Sequence, residues 1–143
     1  MNILIVGGGL QALSVARSLK KERYSVIALL HRGDISTKSK YIDELYTIDI
    51  TPTYKKEYLS SVHRVLQVHA ISVIIPLSDV TAEFLSIHKV NLEHEYHLKC
   101  AIPNYDIFQK ANDKWQLMDL CKENFIPHPR TQLLTSSNLQ EAA

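Results

Sequence analysis

The chain has 143 residues, 45% of them hydrophobic, and a formal net charge of +1. That supplies a core for one ordinary domain with an appendage, and the interspersed charges offer neither the basic stripe of a nucleic-acid binder nor a membrane-surface face. No apolar run nears the roughly 20 residues that span a bilayer, and the opening run Ile3–Val6 is too short for the core of a signal peptide, so a globular cytoplasmic protein is expected.

The chain opens on Ile3-Leu4-Ile5-Val6, passes through Gly7-Gly8-Gly9, and continues with Leu10, Ala12, Leu13, Ala16 and Leu19 at helical spacing. This is a buried strand, a glycine turn and a packed helix, the start of a βαβ unit. Gly7, Gly9 and Ala12 spell G-x-G-x-x-A, whose small residues permit a tight turn and close packing of helix on strand. The free N–H groups of such a helix start suit an anion, although the turn alone already requires the glycines.

Tyr24–Leu30 reads as a second buried strand, followed by a polar surface loop from His31 to Lys40. A dinucleotide-binding domain places an acidic side chain about 20 residues past the glycines to hold the ribose. Here the strand runs into His31-Arg32-Gly33, and the nearest acid, Asp34, arrives late. Arg32 reads either as a partner for the 2′-phosphate of NADP or as a solvated loop residue.

Leu45–Ile48 forms a short third strand and Thr51-Pro52-Thr53 a turn into a helix from Tyr54 to His69, with Tyr58, Leu59, Val62, Val65 and Leu66 on one face. His63 and His69 fall off that stripe and are expected to be exposed. Ile71–Pro76 is the fourth strand, and Leu77-Ser78-Asp79 sits at its carboxyl end, where open α/β sheets place ligand-contacting residues. Asp79 reads as the cap of the next helix or as a functional carboxylate, ahead of an apolar stripe of Val80, Phe84, Leu85 and Ile87. His88 lies in that stripe and is expected to be hydrogen-bonded. His94 and His97 lack the i, i+4 spacing of a helical metal site.

His97–Ile102 reads as a fifth strand closed by Pro103. The order implies an open, Rossmann-like, mostly parallel sheet with helices on both faces and right-handed crossovers. After Tyr105 the character changes to two short helices, the second from Lys114 to Asn124 with Leu117, Met118, Cys121 and Phe125 along one side, and then to a proline-set connector through Thr131. Gln132–Leu134 begins a strand and Ser136–Ala143 a helix, so the sequence reads as stopping part-way into a new element. With no Cys-x-x-Cys spacing, Cys100 and Cys121 are expected to be small core residues.

These pieces together are more specific than the glycines. A Rossmann-like opening without the acidic ribose residue, IIPLSD at the end of the fourth strand, Asn112-Asp113-Lys114 opening a helix, and Glu123–Thr131 resemble the N-terminal part of ATP-grasp ligases. The resemblance is to the pre-ATP-grasp domain of biotin carboxylase, of the carbamoyl phosphate synthase large subunit and of carboxylate–amine ligases. Asn124-Phe125 stands where the family commonly has a glycine and a variable residue.

The resemblance implies a pre-ATP-grasp domain over residues 1–111 and a linker plus the start of the ATP-grasp domain over 112–143. It further implies an enzyme in which ATP and Mg activate a carboxylate as an acyl phosphate for attack by an amine. The nucleotide- and metal-binding lobes would follow this chain, leaving the fragment itself inactive and without cofactor. Lys114 matches a basic family residue that reaches the ATP phosphates, although by itself it reads as an exposed first-turn lysine. Gly7, Gly8, Gly9, Ser78 and Asp79 would line the substrate side of the cleft, with the loop from His31 to Tyr41 beside them. No catalytic or metal-binding residue is assigned within the chain. The implied partners are the missing ATP-grasp domain, small carboxylate and amine substrates, and a second copy in a homodimer. Two rival readings stand beside this one: a free-standing NAD(P)-binding module, and an α/β scaffolding domain without chemistry of its own.

Overall fold

A computed structural model describes residues 1–53 and 55–132. The start of the second helix at Tyr54, and the strand and helix expected after Gln132, fall outside them. The chain divides into two compact units, Met1–Tyr105 and the residues from Asp106 onward.

In the first unit, β1 (Asn2–Val6), β2 (Ser25–His31), β3 (Glu44–Ile48), β4 (Ile71–Pro76) and β5 (Lys99–Cys100) form one parallel sheet in the order β3-β2-β1-β4-β5. Between them run α1 (Gly9–Lys21), α2 (Lys55–Val68) and α3 (Asp79–Tyr96). The central strands are continuous apolar runs because both their faces are covered. Leu4, Val6, Ile27, Leu29 and Ile74 point to the layer of α2 and α3. Ile3, Ile5, Val26, Ala28 and Leu30 point to the layer of α1. Ala12 and Ala16 are fully buried, so α1 lies close against the strands.

Several expectations need correction. Leu10, Val80 and Ile87 do not join the core: they are 71%, 51% and 37% exposed, and the buried residues of α3 include Phe84, Leu85 and Leu92. The fifth strand is only two residues long: His97 takes a left-handed conformation (φ 54°) as the cap of α3 rather than starting the strand, and the backbone bends at Ala101 and Ile102. Its outward edge is closed by α3 itself. Glu93 accepts the Cys100 N–H at 2.9 Å, and Lys89 donates to the Ile102 carbonyl at 2.6 Å.

His63 in α2 and His69 just past its end are not free on the surface. His63 Nδ1 lies 2.6 Å from the Tyr96 hydroxyl, and His69 Nε2 lies 2.8 Å from that of Tyr46. His88 packs against Phe84 with tilted rings whose centroids are 4.7 Å apart, but its Nε2 is buried without a hydrogen-bond partner among the described residues.

The second unit holds α4, which begins at Tyr105 and ends at Asn112, and α5 (Lys114–Glu123). Asp113 caps α5, accepting the N–H groups of Trp115 and Gln116 at 2.9 and 3.0 Å. Past α5 the left-handed residue is Phe125 (φ 56°), a position that suits glycine. Cys100 is buried, whereas Cys121 is half-buried and outside the core.

Candidate functional site

The strand order reverses between β1 and β4, and the crevice outside their carboxyl ends is where open α/β sheets receive ligands. Two loops meet there. The Leu77 N–H donates to the Val6 carbonyl at 2.9 Å, which ties the segment after β4 to the glycine turn. A shallow depression of about 410 Å³ opens above this junction, lined by Gln11 and Val15 of α1, by Leu77, Ser78 and Asp79, and by Ile102. Of the residues expected at the cleft, Ser78 and Asp79 line this depression, Gly7 lies beside Leu77 and Thr81, and Gly8 and Gly9 face Asp34 and Gln11 instead. Lys114 belongs to the second unit, where it is the exposed first residue of α5.

Asp79 is not the cap of α3. Ser78 is: its hydroxyl accepts the Thr81 N–H at 3.3 Å, while the Thr81 hydroxyl accepts the Ser78 N–H at 3.1 Å, a reciprocal capping box. Asp79 is therefore exposed in the first turn, where a carboxylate suits the helix dipole.

The glycine turn is built around a residue that sequence reasoning passed over. Asp34, beyond the end of β2, folds back so that the Gly9 N–H donates to both carboxylate oxygens, at 2.8 and 3.0 Å. Its Oδ1 also accepts the Ser36 N–H at 2.8 Å and the Ser36 hydroxyl. Burial pushes the carboxyl pKa up, but the hydrogen bonds from Ser36 and Gly9 and the nearby His31 outweigh it and hold the group below its ordinary value. The glycines answer to this geometry. Gly9 is left-handed (φ 80°), and a side chain at Gly8 would run into the carboxylate, with Oδ1 at 2.8 Å and Cγ and Oδ2 closer still.

The features that motivated the dinucleotide reading are engaged within the chain. The Gly9 N–H is held by Asp34, and Arg32 pairs with Asp49 at 2.9 Å on the exposed surface. No cluster of three metal-ligating side chains occurs among the described residues, and no described helix is long and apolar enough to cross a membrane.

No family model matches the chain. Among curated proteins it is similar to D-aspartate ligase from Enterococcus faecium, 22% identical, with the match covering 95% of this chain and 33% of that protein. Among solved structures it superposes on N5-carboxyaminoimidazole synthetase from Staphylococcus aureus, crystallised with ADP (TM-score 0.68, 20% identity, 99% of this chain and 35% of that one). It also superposes on the biotin carboxylase domain of the Hydrogenobacter thermophilus 2-oxoglutarate carboxylase, in complex with MgADP, ADP and bicarbonate (TM-score 0.67, 19% identity, 88% and 28%). The chain shares its open parallel α/β fold with these proteins. It spans about a third of the length of the proteins it matches. In this unit the depression at the switch point of the sheet is lined by Ser78 and Asp79, and the Leu77–Val6 hydrogen bond sets the glycine turn next to that segment.

Proposed function

We propose that this chain is the substrate-side domain of an ATP-dependent ATP-grasp ligase that activates a carboxylate as an acyl phosphate and passes it to an amine. The observation that carries the reading is the pairing of two likenesses. A carboxylate–amine ligase aligns over 95% of the chain, and the parallel sheet superposes on ATP-grasp enzymes crystallised with adenine nucleotide. ATP and Mg would be held by lobes outside this chain, with Lys114, exposed at the start of α5, reaching the phosphates. Acidic residues of those lobes would hold the metal, which polarises the transferring phosphoryl group.

The surface around Gly7, Gly8, Ser78 and Asp79 would form the wall of the cleft that meets the acceptor substrate, and a second copy of the chain would pack elsewhere as a homodimer. Residues 1–111 form the domain proper on this reading, with 112–143 leading into the nucleotide lobe. The finer likeness to the carbamoyl phosphate synthase large subunit rests on the sequence motifs from Asp113 to Thr131.

The test is ADP release by the protein encoded by the whole reading frame, in the presence of Mg, a carboxylate such as D-aspartate and an amine. Amine-dependent ADP formation supports the reading. A reading frame lacking a glycine-rich loop and a lysine-bearing strand after Ala143 overturns it. The 143-residue chain alone is expected to give little heat with Mg-ATP in isothermal titration, and low-micromolar affinity would contradict the placement of the nucleotide site.

A further inference from the structure

Among its described residues, Asp106 to Gln132, the second unit has no buried side chain. Yet α5 carries Leu117, Met118, Leu120 and Cys121, and Phe125 and Ile126 follow directly. At 3.6 residues per turn those four positions of α5 share one arc of roughly 160°, with Gln116, Asp119 and Glu123 on the other side. Phe125 is 95% exposed, Ile126 51% and Leu120 43%. Helices of 8 and 10 residues fall below the roughly 12–15 residues at which an isolated helix becomes even marginal in water, so they depend on cover for their apolar faces. A contiguous apolar patch of this kind marks an interaction site.

We infer that the apolar arc of α5, extended by Phe125 and Ile126, is the docking face for the lobe that the same polypeptide goes on to form after Gln132. Two observations favour this occupant over a second copy of the chain. The first is reach: Gln132 lies six residues past Ile126, so the onward chain begins no more than about 20 Å from the patch. A partner tethered that closely meets the patch at an effective concentration in the millimolar range, far above that of a free copy. The onward chain also opens on two apolar residues, Leu133 and Leu134. The second is length: the match covers 33% of D-aspartate ligase and 35% of N5-carboxyaminoimidazole synthetase, so most of each of those proteins lies outside it. Lys114 stands one turn before Met118, on the same side of α5. Docking through this arc therefore brings its ammonium group against the onward lobe, where the ligase reading puts the nucleotide.

The experiment compares hydrogen exchange, read by mass spectrometry over residues 106–126, in the 143-residue chain and in the protein encoded by the whole reading frame. The amides of α5 are expected to exchange fast in the 143-residue chain and about a hundredfold or more slower in the whole protein. Phe125→Gly removes the exposed ring at a left-handed position that suits glycine, and Leu120→Ala removes a second apolar group. Each is expected to leave exchange in the 143-residue chain within about twofold of the wild type and to speed α5 in the whole protein about tenfold or more. Should Phe125→Gly give no folded whole protein, Leu120→Ala carries the same comparison. Slow exchange of α5 already in the 143-residue chain overturns the inference: independent of concentration it shows cover from within residues 1–143, and growing with concentration it shows a second copy. Fast exchange in both proteins overturns it as well, and so do variants that act alike in the two. The inference rests on the ligase reading only for a polypeptide that continues past Ala143, and the two fail separately. A whole protein with amine-dependent ADP release and an unprotected α5 keeps the reading and removes the inference, whereas a protected α5 without ADP release does the reverse.

Discussion

Replacing Gly8 with alanine tests whether Asp34 really dictates the glycine turn. Gly8 has extended backbone angles (φ −136°, ψ −151°) that any residue adopts, so the substitution carries no strain of its own. The whole cost comes from the added methyl group, which displaces the Asp34 carboxylate from Gly9 and Ser36. Losing hydrogen bonds to a charged group costs about 1.5–3 kcal/mol, and the stiffer unfolded chain returns about 0.4–1 kcal/mol. The net is a loss of about 1–2 kcal/mol, or about 3–6 °C in Tm for a chain of this size. In an Asp34→Ala background the obstacle is gone, and Gly8→Ala should be neutral or slightly stabilising. Urea melts of the wild type, both single variants and the double variant close the cycle, with an expected coupling of about 1–3 kcal/mol. If the two substitutions simply add, to within about 0.5 kcal/mol, the carboxylate is not what requires glycine at position 8.

Two further outcomes follow from side chains that hold the sheet and its covering helices. Glu93→Ala strips the acceptor from the Cys100 N–H and the partner from Lys89, and should cost about 1–3 kcal/mol in urea unfolding. Glu93→Gln keeps an acceptor there and should cost less, with hydrogen exchange at the Cys100 amide accelerating in the alanine variant first. His88 is held below its ordinary pKa, chiefly by burial and then by the neighbouring charges of Lys55 and His63. The unfolded chain therefore binds its proton more readily, so the stability His88 contributes is present above about pH 6.5 and is lost as pH falls from there through the folded value. His88→Met, which also removes the buried Nε2, should flatten the stability profile just below pH 6.5, and an unchanged slope would show that another group causes it.

The sheet was legible in the sequence where burial on both faces leaves an unbroken apolar run: Ile3–Val6, Val26–Leu30 and Val73–Ile75 each have one interpretation. The glycine turn was legible because few residue types suit it. What escaped the sequence depends on partners far along the chain. Asp34 looked like an acid that had arrived too late for a ribose, because nothing local shows that it turns back 25 residues to Gly9. Ser78 and Asp79 are adjacent short acceptors, and only the reciprocal bond from Thr81 decides between them. Helical periodicity placed Leu10 and Val80 inward, but both sit in first turns, beyond the strand ends that would have covered them. His63 and His69 lie off the apolar stripe and still find tyrosine hydroxyls, which periodicity does not register. The short β5 was overread because the left-handed turn at His97 carries no glycine to announce it.

The two margins of the sheet are unequal. At β5 the outward amide and carbonyl groups are already answered by a glutamate and a lysine from the same molecule, whereas at β3 the margin is a five-residue strand with Glu44, Leu45 and Thr47 exposed. Recruitment of a foreign strand, whether a binding peptide or a misfolded sibling, is thereby confined to the β3 side. Polymerisation through this sheet would need two open margins, and the described residues leave one.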